Sequence, residues 1–102
     1  MASAAPALVI AAPPSAPGAG DLLAHLPAGT CRVLLLEGGL AWLADPAALA
    51  RLRAVAADLA LCSQAAREAG LEAARTPAGV RWSSVATWLA QLEGQPLAWL
   101  AP

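Results

Sequence analysis

Asp58–Gly70 reads DLALCSQAAREAG, and its interpretation decides the fold. DLALC is a short apolar run, the signature of a strand inside a sheet. From Ser63 to Ala69 the residues are good helix formers, and Gly70 stands where a left-handed C-terminal cap belongs. A strand running straight into a helix is half of a βαβ unit, so the remaining parts are sought on either side.

Upstream, Cys31–Leu36 (CRVLLL) is a second apolar run ended by Glu37-Gly38-Gly39, and Ala7–Ala12 (ALVIAA) is a third, bounded by Pro13 and Pro14. Continuous rather than alternating hydrophobicity suits strands covered on both faces, as in a parallel sheet. Between these runs, SAPGAG predicts a loop, and Asp21 is placed to cap a short helix, LLAHL, that stops at Pro27 and Gly29. Asp45-Pro46 starts another helix, since aspartate accepts from free amides while proline lacks an amide that would go unpaired. Leu49, Leu52 and Val55 form its inner stripe, with Arg51 and Arg53 outward. Downstream, Thr76–Gly79 predicts a loop, and Ser83 or Ser84 caps a helix carrying Val85, Trp88, Leu89 and Leu92. That helix closes at Gly94, and Pro96–Leu100 (PLAWL) predicts a fourth strand. The alternation predicts an α/β chain: a single three-layer α/β/α domain over residues 1–102, with a mostly parallel sheet of four to five strands.

Composition narrows the function classes. The 102 residues are 59% hydrophobic, with four tryptophans and no phenylalanine, tyrosine or lysine. Six arginines against seven acids give a net charge of −1 and form no basic run, which argues against nucleic acid as a partner. No stretch approaches the ~20 apolar residues that span a bilayer. The N-terminus, MASAAPALVIAAPP, lacks the basic residues of a signal peptide, so the expected location is cytoplasmic. Charged residues are only 13%, which leaves apolar surface to be covered by another chain and predicts an oligomer.

Reactive groups in parallel sheets gather beyond the carboxyl ends of the strands. Cys62 falls at that edge, where the start of the next helix brings the Ser63 and Gln64 amides close and favours a negative sulfur. The competing reading is a small buried hydrophobe. Glu37, Gly38 and Gly39 end the neighbouring strand at the same edge; the glycines allow backbone to approach a thiol or persulfide, or simply make a turn. Ser83 stands at the start of the next helix, and Trp82 beside it is expected near the reactive edge. Cys31 opens its strand and so lies at the opposite edge, several residues of ~3.3 Å rise away. A disulfide needs Cα atoms within ~7 Å, which argues against an internal bridge. Two cysteines without CxxC spacing or a histidine cluster predict no metal site. His25, the only histidine, sits on the first helix away from Cys62. PSAPGAG lacks the GK[ST] of a phosphate loop.

With this order of elements, three stretches carry a resemblance: VLLLEGGLAWLAD, LALCSQAAREAGL and WSSVATWLAQLEGQPLAW. They resemble, in turn, the apolar strand with an acidic-glycine turn, the strand-cysteine-helix segment, and the closing helix and strand of the DsrE/DsrF/DsrH sulfur-relay family, which includes the TusB, TusC and TusD subunits. Gly39-Leu40 departs from the family's usual Gly-Val, and Glu-Ala-Gly replaces its Arg-Gly ending. The resemblance implies a sheet sandwiched by helices and assembly into a trimer or hexamer. It also implies transfer of sulfane sulfur as a persulfide on Cys62, from a donor protein to an acceptor protein, with no metal or organic cofactor. Members that lack the reactive cysteine imply the alternative, a non-catalytic subunit of a DsrEFH/TusBCD-like complex.

Overall fold

A computed structural model describes residues 6–101. Five strands, β1 (Ala7–Ile10), β2 (Cys31–Leu35), β3 (Ala56–Cys62), β4 (Val80–Ser83) and β5 (Leu97–Leu100), form one sheet in the order β4-β3-β2-β1-β5. Every pairing is parallel. The helices are α1 (Ala19–Ala24), α2 (Pro46–Val55), α3 (Ser63–Glu68) and α4 (Val85–Ala90), with 3-10 segments at Glu37–Ala44 and Ala73–Arg75. The chain is thus the expected α/β domain, with helices on both faces of the sheet.

Topology fixes which helix covers which face. From β1 to β4 each new strand is added on the same side, and the last crossover returns past β1 to place β5. Right-handed crossovers then put α1, α2 and α3 on one face and α4 alone on the other. The two cores match this division. Leu8, Ile10, Val33, Leu35, Leu59 and Leu61 pack under α1, α2 and the Glu37–Ala44 segment. Ala7, Val9, Leu34 and Ala60 pack under Trp88 and Leu92. Alternate residues of each strand serve opposite faces, so both stripes are apolar and the runs read as continuous.

Local signals act largely where the sequence places them. The Asp45 carboxylate accepts from the Ala48 amide at 3.1 Å, with Pro46 at the first helical position. Gly70, at φ +78°, ends α3 in a Schellman arrangement, the Leu71 amide donating to the Ala66 carbonyl and the Gly70 amide to that of Arg67. Helix α1 begins earlier than the Asp21 cap predicts: Gly18 in the left-handed region precedes it and Asp21 lies in its first turn. Ser84, not Ser83, caps α4, accepting from the Thr87 amide at 3.1 Å. Strand β4 is an addition, because VRWS is short, places Arg81 and Ser83 on one face, and follows a loop signal directly. It makes the Leu97–Leu100 strand the fifth rather than the fourth. Among the described residues no helix is long and apolar enough to cross a membrane.

Candidate functional site

Cys62 is the last residue of β3 and pairs in register with Ser83, the last of β4. Asp58, Ala60 and Cys62 share one face by strand alternation, and Ala60 packs under Trp88, so Cys62 belongs to the face that α4 covers. The two adjacent strands part here. β3 continues into α3 on one face, and β4 into α4 on the other. Divergence of neighbouring connections opens a crevice at the carboxyl edge of a parallel sheet, the position where such folds bind ligands.

The crevice is real space. A cleft of about 390 Å³ is lined by Cys62, Ser63, Gln64, Arg67, Ser84, Val85 and Ala86, which are the first turns of α3 and α4 with the strand end between them. Cys62 is buried, at 7% exposure, and lies at the cleft's inner end rather than on the outer surface. The amides of a helix's first turn lack intrahelical acceptors and are oriented toward the cleft's end. Arg67 contributes a cation to the lining. The Gln64 amide nitrogen donates forward along α3 to Glu68 Oε1 at 3.2 Å, and the Ser84 hydroxyl donates to Thr87 Oγ1 at 2.8 Å.

Of the residues singled out from sequence, Cys62, Ser63 and Gln64 come together. Ser83 lies beside Cys62 in the adjoining strand, buried, its hydroxyl donating to the Ser84 carbonyl at 3.1 Å; Ser84 takes the place on the cleft wall. Glu37, Gly38 and Gly39 stand at the same sheet edge but turn the other way, onto β1. A Cβ at Gly38 would lie 2.9 Å from the Ala11 carbonyl oxygen, and one at Gly39 would overlap the Ile10 carbonyl. The Trp42 indole, from the same 3-10 segment, donates to the Ala12 carbonyl at 2.9 Å. The glycines therefore serve the close approach of two backbones. Trp82 is on the face opposite Cys62 and donates to Thr76 Oγ1 at 2.8 Å, because it precedes Ser83 in a strand whose residues alternate.

Cys31 is fully buried at the amino edge of β2, where burial pushes its thiol up, partly offset by a hydrogen bond with Thr30. Both cysteines are free. His25 ends α1 at that same edge, its Nδ1 paired with the Asp21 carbonyl at 2.6 Å. Among the described residues no three His, Cys, Asp or Glu side chains are grouped to hold a metal.

One polar cluster lay outside the sequence reading. Arg81 grips Asp58 through Nε at 2.9 Å and Nη2 at 2.7 Å, and also donates to Gln91 Oε1 at 3.1 Å. Arg32 Nη1 donates to the Gln91 carbonyl at 2.6 Å. The Arg81 hydrogen bonds hold the Asp58 carboxyl below the usual carboxylate range against the opposing effect of burial, and Asp58 in turn raises Arg81. The signal was the polar residue near the amino end of each of three strands, visible only once their register is known. No family model matches the chain, and no curated protein matches it.

Proposed function

We propose that the protein is a cytoplasmic sulfur-relay subunit that accepts sulfane sulfur as a persulfide on Cys62 and passes it on. The observation that carries this reading is the place of Cys62, a lining residue of the crevice between the diverging starts of α3 and α4. The resemblance to the DsrE/DsrF/DsrH family points the same way, with donor and acceptor proteins as partners.

The chemistry balances without a cofactor. The Cys62 thiolate attacks the terminal sulfur of a donor persulfide, forming a Cys62 Sγ–S bond as the donor's own S–S bond breaks. The bonding pair leaves with the donor sulfur, which departs as a thiolate and takes up a proton. An acceptor thiolate then attacks the outer sulfur of the Cys62 persulfide and regenerates the Cys62 thiolate. First-turn amides of α3 stabilise the negative charge at each stage.

Intact mass spectrometry after incubation with a low-molecular-weight persulfide tests the reading. Wild type and Cys31→Ala gain ~32 Da, one sulfur atom, and Cys62→Ala gains nothing. Uptake on Cys31, or uptake that survives Cys62→Ala, would overturn it. The second reading, an assembly subunit without chemistry, is favoured by the exposed large side chains Leu71, Leu89, Leu97 and Trp99. It is the outcome if wild type takes up no sulfur.

A further inference from the structure

We infer that β5 is a homodimer edge, on which a second copy of this chain adds its own β5 antiparallel about a two-fold axis at Ala98. The inference is independent of the sulfur chemistry.

Among the described residues, strand β5 lies at the border of the sheet and pairs with β1 alone. The Ala7 amide donates to the Pro96 carbonyl at 2.7 Å and the Ala11 amide to the Leu100 carbonyl at 2.9 Å. Parallel pairing alternates, so Ala98 and Leu100 also turn their peptide groups toward β1. The N–H and C=O of Leu97 and Trp99 consequently point away from the sheet. Their side chains share one face, Leu97 40% and Trp99 58% exposed, and Trp99 is the most exposed of the large apolar residues.

Two-fold symmetry about Ala98 matches this arrangement. It sets Leu97 opposite Trp99 of the copy, and Trp99 opposite its Leu97, as hydrogen-bonded pairs that exchange all four outward amides and carbonyls. The same pairing lays each Leu97 against a Trp99 on one face, an aliphatic-aromatic cross-strand contact made twice. Ala98 meets Ala98 on the other face, where a larger residue would crowd the axis. Charge favours a copy of the same chain here. From Gly94 to Ala101 the sequence, GQPLAWLA, carries no charged residue, so nothing repels its own image. The opposite edge, β4, by contrast carries the Arg81–Asp58 ion pair, charged side chains of the kind that blunt an edge. Strand β5 also lacks the lysine or inward charge that blunts solitary edges. The result is one ten-stranded sheet with an isologous seam.

Sedimentation equilibrium of the full chain over a dilution series is the first measurement. Wild type should reach twice the 10.2 kDa chain mass at the concentrated end. Trp99→Pro should remain at chain mass throughout with an unchanged circular dichroism spectrum, since the Trp99 amide is turned away from β1 and proline removes that outward donor together with the exposed indole, both of which only the seam uses. Ala98→Cys supplies a readout that does not depend on the proline variant folding. Its two copies would sit as a non-hydrogen-bonded pair with Cα atoms ~4.5 Å apart, within disulfide reach. Mild oxidation should give a reducible dimer for Ala98→Cys and none for Leu97→Cys or wild type. Chain mass for wild type at every concentration, a dimer that survives Trp99→Pro, or no cross-link at Ala98→Cys would each overturn the inference.

Discussion

Replacing Gly39 with alanine tests how the carboxyl end of β1 is sealed. A Cβ at position 39 would run into the Ile10 carbonyl, a backbone atom inside a strand paired on both sides, so no side chain can swing away to relieve it. The relief is to lift the Glu37–Ala44 segment off β1. That movement breaks the hydrogen bond from the Leu36 amide to the Ile10 carbonyl, now 3.0 Å, at about 1 kcal/mol. It also separates the Trp42 indole from the Ala12 carbonyl, and Trp42 is buried, so the donor loses its partner without gaining water, at about 1–3 kcal/mol. The expected loss is therefore ~2–4 kcal/mol, which in a domain of this size lowers Tm by roughly 8 °C or more. Urea denaturation of Gly39→Ala beside Gly20→Ala measures it. At Gly20 the added Cβ meets only Arg51 Nη1 at 3.6 Å, inside a helix, and the change should stabilise by about 0.5–1 kcal/mol. Equal stability of Gly39→Ala and wild type within ~0.5 kcal/mol would refute the close-approach argument.

Three further outcomes follow from single contacts. Trp42 and Trp88 are equally buried, but the Trp88 indole N–H has no hydrogen-bond partner, so Trp42→Phe should cost ~1–2 kcal/mol more than Trp88→Phe in thermal unfolding. The Asp58 carboxyl is held down in the folded state, so its stabilisation is present above the unfolded carboxylate value of ~3.9 and is lost as pH falls through the lower folded value. Arg81→Met should remove ~1 kcal/mol near neutral pH, the pair being partly exposed, and shrink the gap to wild type under acid; a constant gap would contradict the pair. Iodoacetamide under native conditions should label Cys62 well before Cys31, which is fully buried and whose thiol burial pushes up, and peptide mapping with equal labelling would refute that order.

Much of the sheet was legible because buried parallel strands are continuous apolar runs, and ALVI and CRVLL each sit between proline or glycine breakers. Strand β4 escaped for the opposite reason. VRWS is covered thinly, so alternate residues are polar, and four residues without a flanking hydrophobic run look like the end of a loop. With β4 went the crevice, since the divergence of α3 and α4 exists only if β4 neighbours β3. The Asp58–Arg81 pair was hidden in the same way: the two residues are 23 apart in sequence and meet through a register that only the sheet supplies. Glu37-Gly38-Gly39 misled in direction alone, because glycine signals a close approach without saying to what.

The position of Cys62 gains its force from what happens at the other strand ends. Beyond β1 the chain is closed by the 3-10 segment, with Gly39 against Ile10 and Trp42 over Ala12, and both Ala11 and Ala12 are buried. The end of β2 feeds that same segment, which fills the space a ligand would need. Strand β3 differs because its successor α3 stays with α1 and α2 while β4 sends α4 to the opposite face. A residue at the end of β3 is thus flanked by two helix starts that separate rather than pack. A thiol at the end of β1 or β2 would be a core methyl in all but name. At position 62 the same residue lines a cleft, and that is the physical ground on which the proposed chemistry rests.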